Sequence, residues 1–256
     1  MGPAFLPGAG CLSDILHGMG YRNVFLGGAP SSFAGKGRFL RDHHYDEVHG
    51  REEWERRGLP KEAFNFWGLF DEALYAQAKT RLAQLHRSGQ PFNLTLLTLD
   101  THNPDGFLSP GCRRRGVARF EALVECASDQ LADFLRFIEQ GGYLKDTNVV
   151  VIGDHLAVHN AVDATLRQAR ERRIYNRFIA RDLPPKNTEV ILPFDLFPSI
   201  LEFIGIDVEG DRLGLGYSAF NAPATGRPDG RLVGLTLPSL AGSSSYGRLW
   251  SAPPAP

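Results

Sequence analysis

The chain has 256 residues, 43% of them hydrophobic, and a formal net charge of -1. That length suits one large domain with a sizeable core, and a near-neutral charge gives no global field for nucleic acid. The start, Met1-Gly2-Pro3-Ala4-Phe5-Leu6-Pro7, lacks the basic and apolar regions of a signal peptide, and no run of about 18 apolar residues exists to span a membrane. Cys11, Cys112 and Cys126 form no CxxC pair, which argues against a zinc ribbon or a disulfide scaffold.

Residues 1–10 are Gly/Pro-rich and read as irregular. A short helix is predicted from Leu12 to Met19, with Gly20 as its stop. Asn23 to Leu26 reads as a strand ending in Gly27-Gly28, and Ala29 to Arg38 as a Gly/Ser-rich loop suited to close approach of a ligand. The spacing of Phe66, Leu69, Phe70, Ala73 and Leu74 predicts a helix over 66–85. Phe92 to Leu99 is a second strand, running into Asp100-Thr101-His102-Asn103-Pro104. Phe120, Leu123, Val124, Ala127, Leu131, Phe134, Leu135 and Ile138 keep helical spacing throughout 120–138. Val149 to Ile152 is β-branched throughout and reads as a strand buried on both faces, broken by Gly153. Beyond it come a polar helix over 163–172, a strand over 174–180 and a helix over 194–204. There Pro198 is tolerable because it falls in the first turn. The tail from Gly214 is rich in Gly, Ser and Pro.

Helix and strand alternate, so the expected fold is α/β with a largely parallel sheet flanked by helices. Three strands end in polar loops: Gly27-Gly28, Asp100-Thr101-His102 and Gly153-Asp154-His155. In an open α/β sheet ligands sit beyond the carboxyl ends of the strands, so three such loops on one edge would form a site. Asp154 and His155 offer a carboxylate and an imidazole to a divalent cation; the plainer reading is a cap and a loop histidine. A cation there could polarise a phosphate or sulfate oxygen. His102 could stabilise an anionic oxygen, and Lys36 and Arg41 could hold an anionic head group, although single basic residues are more often solvated surface charge. Arg113-Arg114-Arg115 and the arginines of 167–173 read as exposed faces that could also lie against anionic lipid. No GxSxG nucleophile elbow occurs.

The segments Cys11 to Leu16, Gly35 to Arg41, Asp100-Thr101-His102-Asn103-Pro104-Asp105-Gly106, Gly153-Asp154-His155-Leu156 and Leu213 to Gly216 together resemble the phosphoglycerol transferases of the alkaline phosphatase/sulfatase superfamily. The resemblance covers roughly residues 11 to 220. The nearest kind moves phosphoglycerol from phosphatidylglycerol onto periplasmic glucans, and lipoteichoic acid synthases are more distant. The resemblance implies a covalent phosphoglycerol–threonine intermediate and a Mn²⁺ or Mg²⁺ ion, with Asp154 and His155 as two of its ligands. By the resemblance His102 and Arg41 would face the head group, with Phe39 near an aromatic that lies against it. It implies the periplasmic face of a bacterial inner membrane, where a Cys112–Cys126 disulfide would persist.

One departure stands beside these matches. In the resembled enzymes a metal-binding glutamate and the nucleophilic threonine precede the segment matching Cys11, and the ten residues here contain neither. The sequence is therefore expected to be the C-terminal part of a larger catalytic domain, from a late gene start or a true fragment. It would lack the N-terminal strand, the nucleophile segment and any membrane-anchoring region. That leaves 1–10 irregular, 11–220 a partial sulfatase-like catalytic domain, and 221–256 a Gly/Ser/Pro-rich extension. Such a chain is expected to be inactive and poorly soluble alone, with Thr101 the remaining hydroxyl beside a motif residue. The alternatives are a sulfatase or phosphatase of the same superfamily, or a non-catalytic remnant that binds an anionic ligand.

Overall fold

In the computed structural model the first elements are helix α1 (Leu12–Gly18) and strand β1 (Arg22–Gly27), and β1 is the strand around which its sheet is built. Residues 4–184, 191–220, 238 and 241–251 are described, so most of the predicted 221–256 extension lies outside the described residues. After β1 come helix α2 (Lys36–Asp42), strand β2 (Glu47–His49), helix α3 (Arg51–Arg56), helix α4 (Asp71–Ser88) and strand β3 (Phe92–Leu97). The sheet order is β2-β1-β3, all parallel, with Val24 opposite Glu47 and the β1–β3 register running from Arg22↔Phe92 to Gly27↔Leu97. Val24, Phe25 and Leu26 are buried because β1 alone of the three has a strand on either side. β3 is an edge strand, and its Leu97 is exposed.

Helix α5 (Pro110–Arg114) and helix α6 (Phe120–Gln140) follow. α4 buries Leu74, Ala78, Leu82 and Leu85 at helical spacing. It packs on α6, where Tyr75 and Phe134 bring their ring centroids to 5.3 Å. The Cys112 and Cys126 sulfurs are bonded, tying α5 to α6 with Cα atoms 6.0 Å apart. α3 locks the end of β1: the indole of buried Trp54 donates to the Gly27 carbonyl at 2.9 Å. These elements belong to one compact unit, residues 1–142 with 155–173, which also holds helix α7 (Asp163–Leu166).

The second unit comprises residues 143–154 and 174–256. Strand β4 (Val149–Ile152) pairs antiparallel with β5 (Asn176–Ile179). Helix α8 (Leu196–Phe203) and a short β6–β7 ribbon (Arg212–Leu213, Gly216–Tyr217) follow. Its core is a cluster of Phe178, Phe203 and Phe220 rings 5.0 to 5.6 Å apart.

Several expectations need correction. Among the described residues β4 pairs with β5 and not with the parallel sheet, so only two of the three polar loops leave one sheet edge. β4 is only half-buried and Ile152 is exposed, because a single strand covers its backbone edge. The predicted loop 29–38 turns into α2 at Lys36, and β2 and α3 carry no strong periodicity. α4 starts at Asp71 rather than Phe66. There the Asn65 side chain accepts the N–H groups of Trp67 (2.7 Å) and Gly68 (2.8 Å), which closes a turn where apolar spacing alone suggests helix.

Candidate active site

The exit of β1 is organised by a carboxylate. Glu52 accepts from the Ser31 N–H at 2.7 Å, the Ser32 N–H at 3.3 Å and the Ser32 hydroxyl at 2.6 Å. Burial works to raise its pKa, but these donors outweigh it and hold the group at about 2. The Ser31 carbonyl in turn accepts from the Gly37 N–H at 2.7 Å, which seats α2. α2 carries three of the predicted head-group residues, and the structure gives each different surroundings. Lys36 is half-buried, its ammonium 5.8 Å from the Phe25 ring centroid; burial lowers its pKa against the pull of Glu52. Arg41 is exposed, with one guanidinium nitrogen 4.0 Å from Glu53, a surface pairing of small net energy. Phe39 packs on the Phe25, Leu40 and Val48 core and meets the rings of Phe5 and His43.

The exit of β3 is clamped by α4. The first residue of that helix, Asp71, accepts from the Leu99 N–H at 2.6 Å and the Asp100 N–H at 3.0 Å, and its own N–H donates to Asp100 at 3.2 Å. Both carboxyls are buried. The other Asp100 oxygen, Oδ1, has no hydrogen-bond partner. Burial, reinforced by the neighbouring Asp71 charge, pushes Asp100 well above the ordinary carboxylate range and favours its neutral form.

His102 sits two residues further on and is exposed. Its Nδ1 lies 2.8 Å from the Asn103 carbonyl. A carbonyl can only accept, so Nδ1 carries the proton and Nε2 is the acceptor nitrogen of the neutral ring. The imidazole stacks on Trp67, with centroids 5.4 Å apart and planes at 25°, and Phe33 meets Trp67 edge-on at 5.1 Å. Trp67 and Phe33 escape the sequence reading; the one local signal is Asn65 followed three residues later by Gly68, a turn signature inside an apparently helical run.

Asp154 and His155 follow β4, both exposed, and the division between the two units falls between them. The His155 Nδ1 lies 2.8 Å from the Leu156 carbonyl. Donation from Nδ1 leaves Nε2 as the basic nitrogen, the arrangement of a metal-binding histidine with an outer-shell partner. A carboxylate with such an imidazole is a donor set that fits Mn²⁺, Mg²⁺ or Zn²⁺. Among the described residues the cluster of three possible ligand groups is elsewhere, at Cys11, Asp14 and His43. That cluster is a helix cap: Asp14 accepts from the Cys11 N–H at 2.8 Å and contacts His43 at 2.9 Å and His44 at 2.8 Å. Burial, then the Asp14 charge, raises the Cys11 thiol to about 11, which disfavours the thiolate a metal needs.

Residues 8–206 match the protein-family model described as Sulfatase, more than half of the chain. The chain belongs to the sulfatase family. This sulfatase-family chain is 37% identical over 192 residues to "Phosphoglycerol transferase I" of Xanthomonas campestris pv. campestris (strain B100), covering 71% of the chain and 27% of that protein. It is 33% identical over 260 residues to the protein of the same name from Escherichia coli O157:H7, covering 98% of the chain and 33% of that protein. The chain thus spans about a third or less of the length of these relatives. Among solved structures it resembles the lipoteichoic acid synthase LtaP of Listeria monocytogenes at a TM-score of 0.63 and 17% identity, covering 86% of this chain and 58% of that one. A protein of the alkaline phosphatase superfamily from Vibrio parahaemolyticus matches at a TM-score of 0.58 and 22% identity, over 80% of this chain and 50% of that one. At these identities the structures establish the fold alone: alkaline-phosphatase/sulfatase-like α/β, here with a parallel three-stranded sheet flanked by helices.

Proposed function

We propose that the chain carries the head-group and metal side of a phosphoglycerol transferase. The observation that carries this reading is the identity, 37% over 192 residues and 33% over 260, to relatives bearing that name. Phosphatidylglycerol is the donor and a periplasmic glucan the acceptor, at the outer face of a bacterial inner membrane. Arg41 and Lys36 hold the phosphate, and Phe39 contributes by packing α2, the helix that carries both. Asp154 and His155 hold Mn²⁺ or Mg²⁺, which when bound polarises the phosphoryl oxygens. His102 contacts the transferred group. Its Nε2 accepts the proton of the attacking hydroxyl while that oxygen bonds to phosphorus, and returns it to the leaving oxygen as the bond from phosphorus to that oxygen breaks.

Asp154 and His155 alone leave a cation largely hydrated, and Thr101, exposed beside His102, is the hydroxyl next to a motif residue. Residues 1–256 are therefore expected to bind the head group without releasing glycerol phosphate from phosphatidylglycerol vesicles. The test is calorimetric titration of glycerol phosphate into residues 1–256 with Mn²⁺ present, alongside the release assay. Arg41→Ala should weaken binding at least about tenfold, the loss of one charge-assisted contact, and His102→Ala should weaken it several-fold, the loss of a neutral acceptor for a glycerol hydroxyl. Affinity unchanged in both variants would overturn the reading. Metal-dependent release that disappears in a folded Thr101→Ala variant would make Thr101 the nucleophile.

A further inference from the structure

We propose that Trp67 is a positioning residue for His102: its indole holds the imidazole so that Nδ1 stays on the Asn103 carbonyl and Nε2 is the working nitrogen. The inference rests on the role given to His102 above and deepens it.

The imidazole needs such a support. Its Nδ1 hydrogen bond runs to the carbonyl of the next residue, within its own loop. Rotation of the ring about Cβ–Cγ out of its present plane swings Nδ1 off that carbonyl, and nothing about an exposed loop position resists it. A flat surface against the ring resists that rotation, and Trp67 supplies one at 5.4 Å and 25°; of the two orientations that share this plane, the Asn103 carbonyl selects the one with Nδ1–H toward it. Aromatic pairs of this kind contribute about 0.5–1.5 kcal/mol beyond area burial, enough to favour the stacked plane several-fold.

Trp67 is itself seated by backbone. Asn65 accepts its N–H and that of Gly68, and the Asn65 N–H donates to the Gly68 carbonyl at 2.8 Å. The Leu69 N–H donates to the Gly28 carbonyl at 3.0 Å, joining this turn to the exit of β1. Gly68 is obligatory there, because a Cβ would run into the Gly28 carbonyl. Phe33 then braces the indole from the same exit. The exits of β1 and β3 thus meet through one run of ring contacts, with His102 as its last member.

Packing alone does not account for this tryptophan. Trp54 shows what a packing tryptophan looks like here: 1% exposed, with its indole N–H donated to a strand carbonyl. Trp67 is only half-buried, and its stacking partner is the exposed His102.

The experiment is ¹⁵N NMR of the histidine side chains of residues 1–256, with His102 assigned by its Ala variant. In the wild type, neutral His102 should show the Nδ1–H tautomer. Trp67→Leu, which keeps apolar bulk without a ring, should give a tautomer mixture, and Trp67→Phe should keep most of the wild-type pattern. If Trp67→Leu does not fold, Asn65→Ala removes the acceptor that seats Trp67 and should produce the same mixture. An unchanged Nδ1–H tautomer in Trp67→Leu, or in Asn65→Ala where that variant stands in for it, overturns the inference. So does a wild-type ring that is already a mixture. The tautomer is read without any ligand, so this outcome is independent of the glycerol phosphate titration that tests the role of His102.

Discussion

The loops that carry His102 and His155 share a local device and differ in what surrounds it. Each histidine has Nδ1 at 2.8 Å from the carbonyl of the following residue, so each presents Nε2 as its acceptor. Behind His102 stand the Trp67 ring, the Asp71 clamp on Leu99 and Asp100, and a disulfide-tied α5. The run from Asp154 to His159 is exposed throughout. The difference suits the two duties proposed for these histidines. A residue that exchanges a proton must be aimed in advance, because misplacement by about 1 Å can cost about a hundredfold in rate. A metal ligand can be drawn into place by the ion it binds, since binding and local ordering share one free energy.

Removing the disulfide tests the supported side most severely. α5 hangs on α4 through Glu72, which accepts from the Ser109 hydroxyl at 3.0 Å and the Gly111 N–H at 2.8 Å, and on α6 through Cys112–Cys126. With a sequence separation of 14, the chain-entropy model gives about 3 kcal/mol for the bridge. Cys112→Ala with Cys126→Ala should lower stability by about that much and speed amide exchange over 107–126, leaving exchange around His155 unchanged. Mass spectrometry of non-reduced, periplasmically expressed protein should find one bridge and one thiol. Two further thiols would remove the bridge from the account.

A smaller effect is expected at Asp100. Its folded pKa is raised, so the stability of the neutral form is fully present below the ordinary carboxylate pKa and is lost as pH rises toward the folded value. Asn copies the protonated carboxyl and carries no such loss. Asp100→Asn should therefore melt like the wild type at pH 4 and higher than it at pH 8. A lower melting temperature than the wild type at pH 8 would mean that a cation or donor pairs with ionised Asp100, and the clamp would need a different description.

Much of this was legible in residue order. β1, β3 and β4, the long helices α4 and α6 and the three polar loops follow from β-branched runs, helical spacing and glycine stops. What failed to show has physical reasons. α2 begins Lys36-Gly37, poor helix material whose seat is a tertiary one, the Ser31 carbonyl held in place by Glu52. The partner of β4 was invisible because a run of Val and Ile specifies a strand without specifying its neighbour. Trp67 was hidden inside an apolar spacing that matched a helix, while one asparagine side chain decided for a turn.

The most direct test of the central claim is calorimetric titration of Mn²⁺ into residues 1–256 and three variants. Asp154→Ala and His155→Ala should each lose at least about tenfold in affinity, the lower end of what even outer-shell losses cost. Asp14→Ala, which alters the competing Cys11, Asp14 and His43 cluster, should bind as the wild type does. Affinity kept in Asp154→Ala and His155→Ala, or lost in Asp14→Ala alone, would contradict the account.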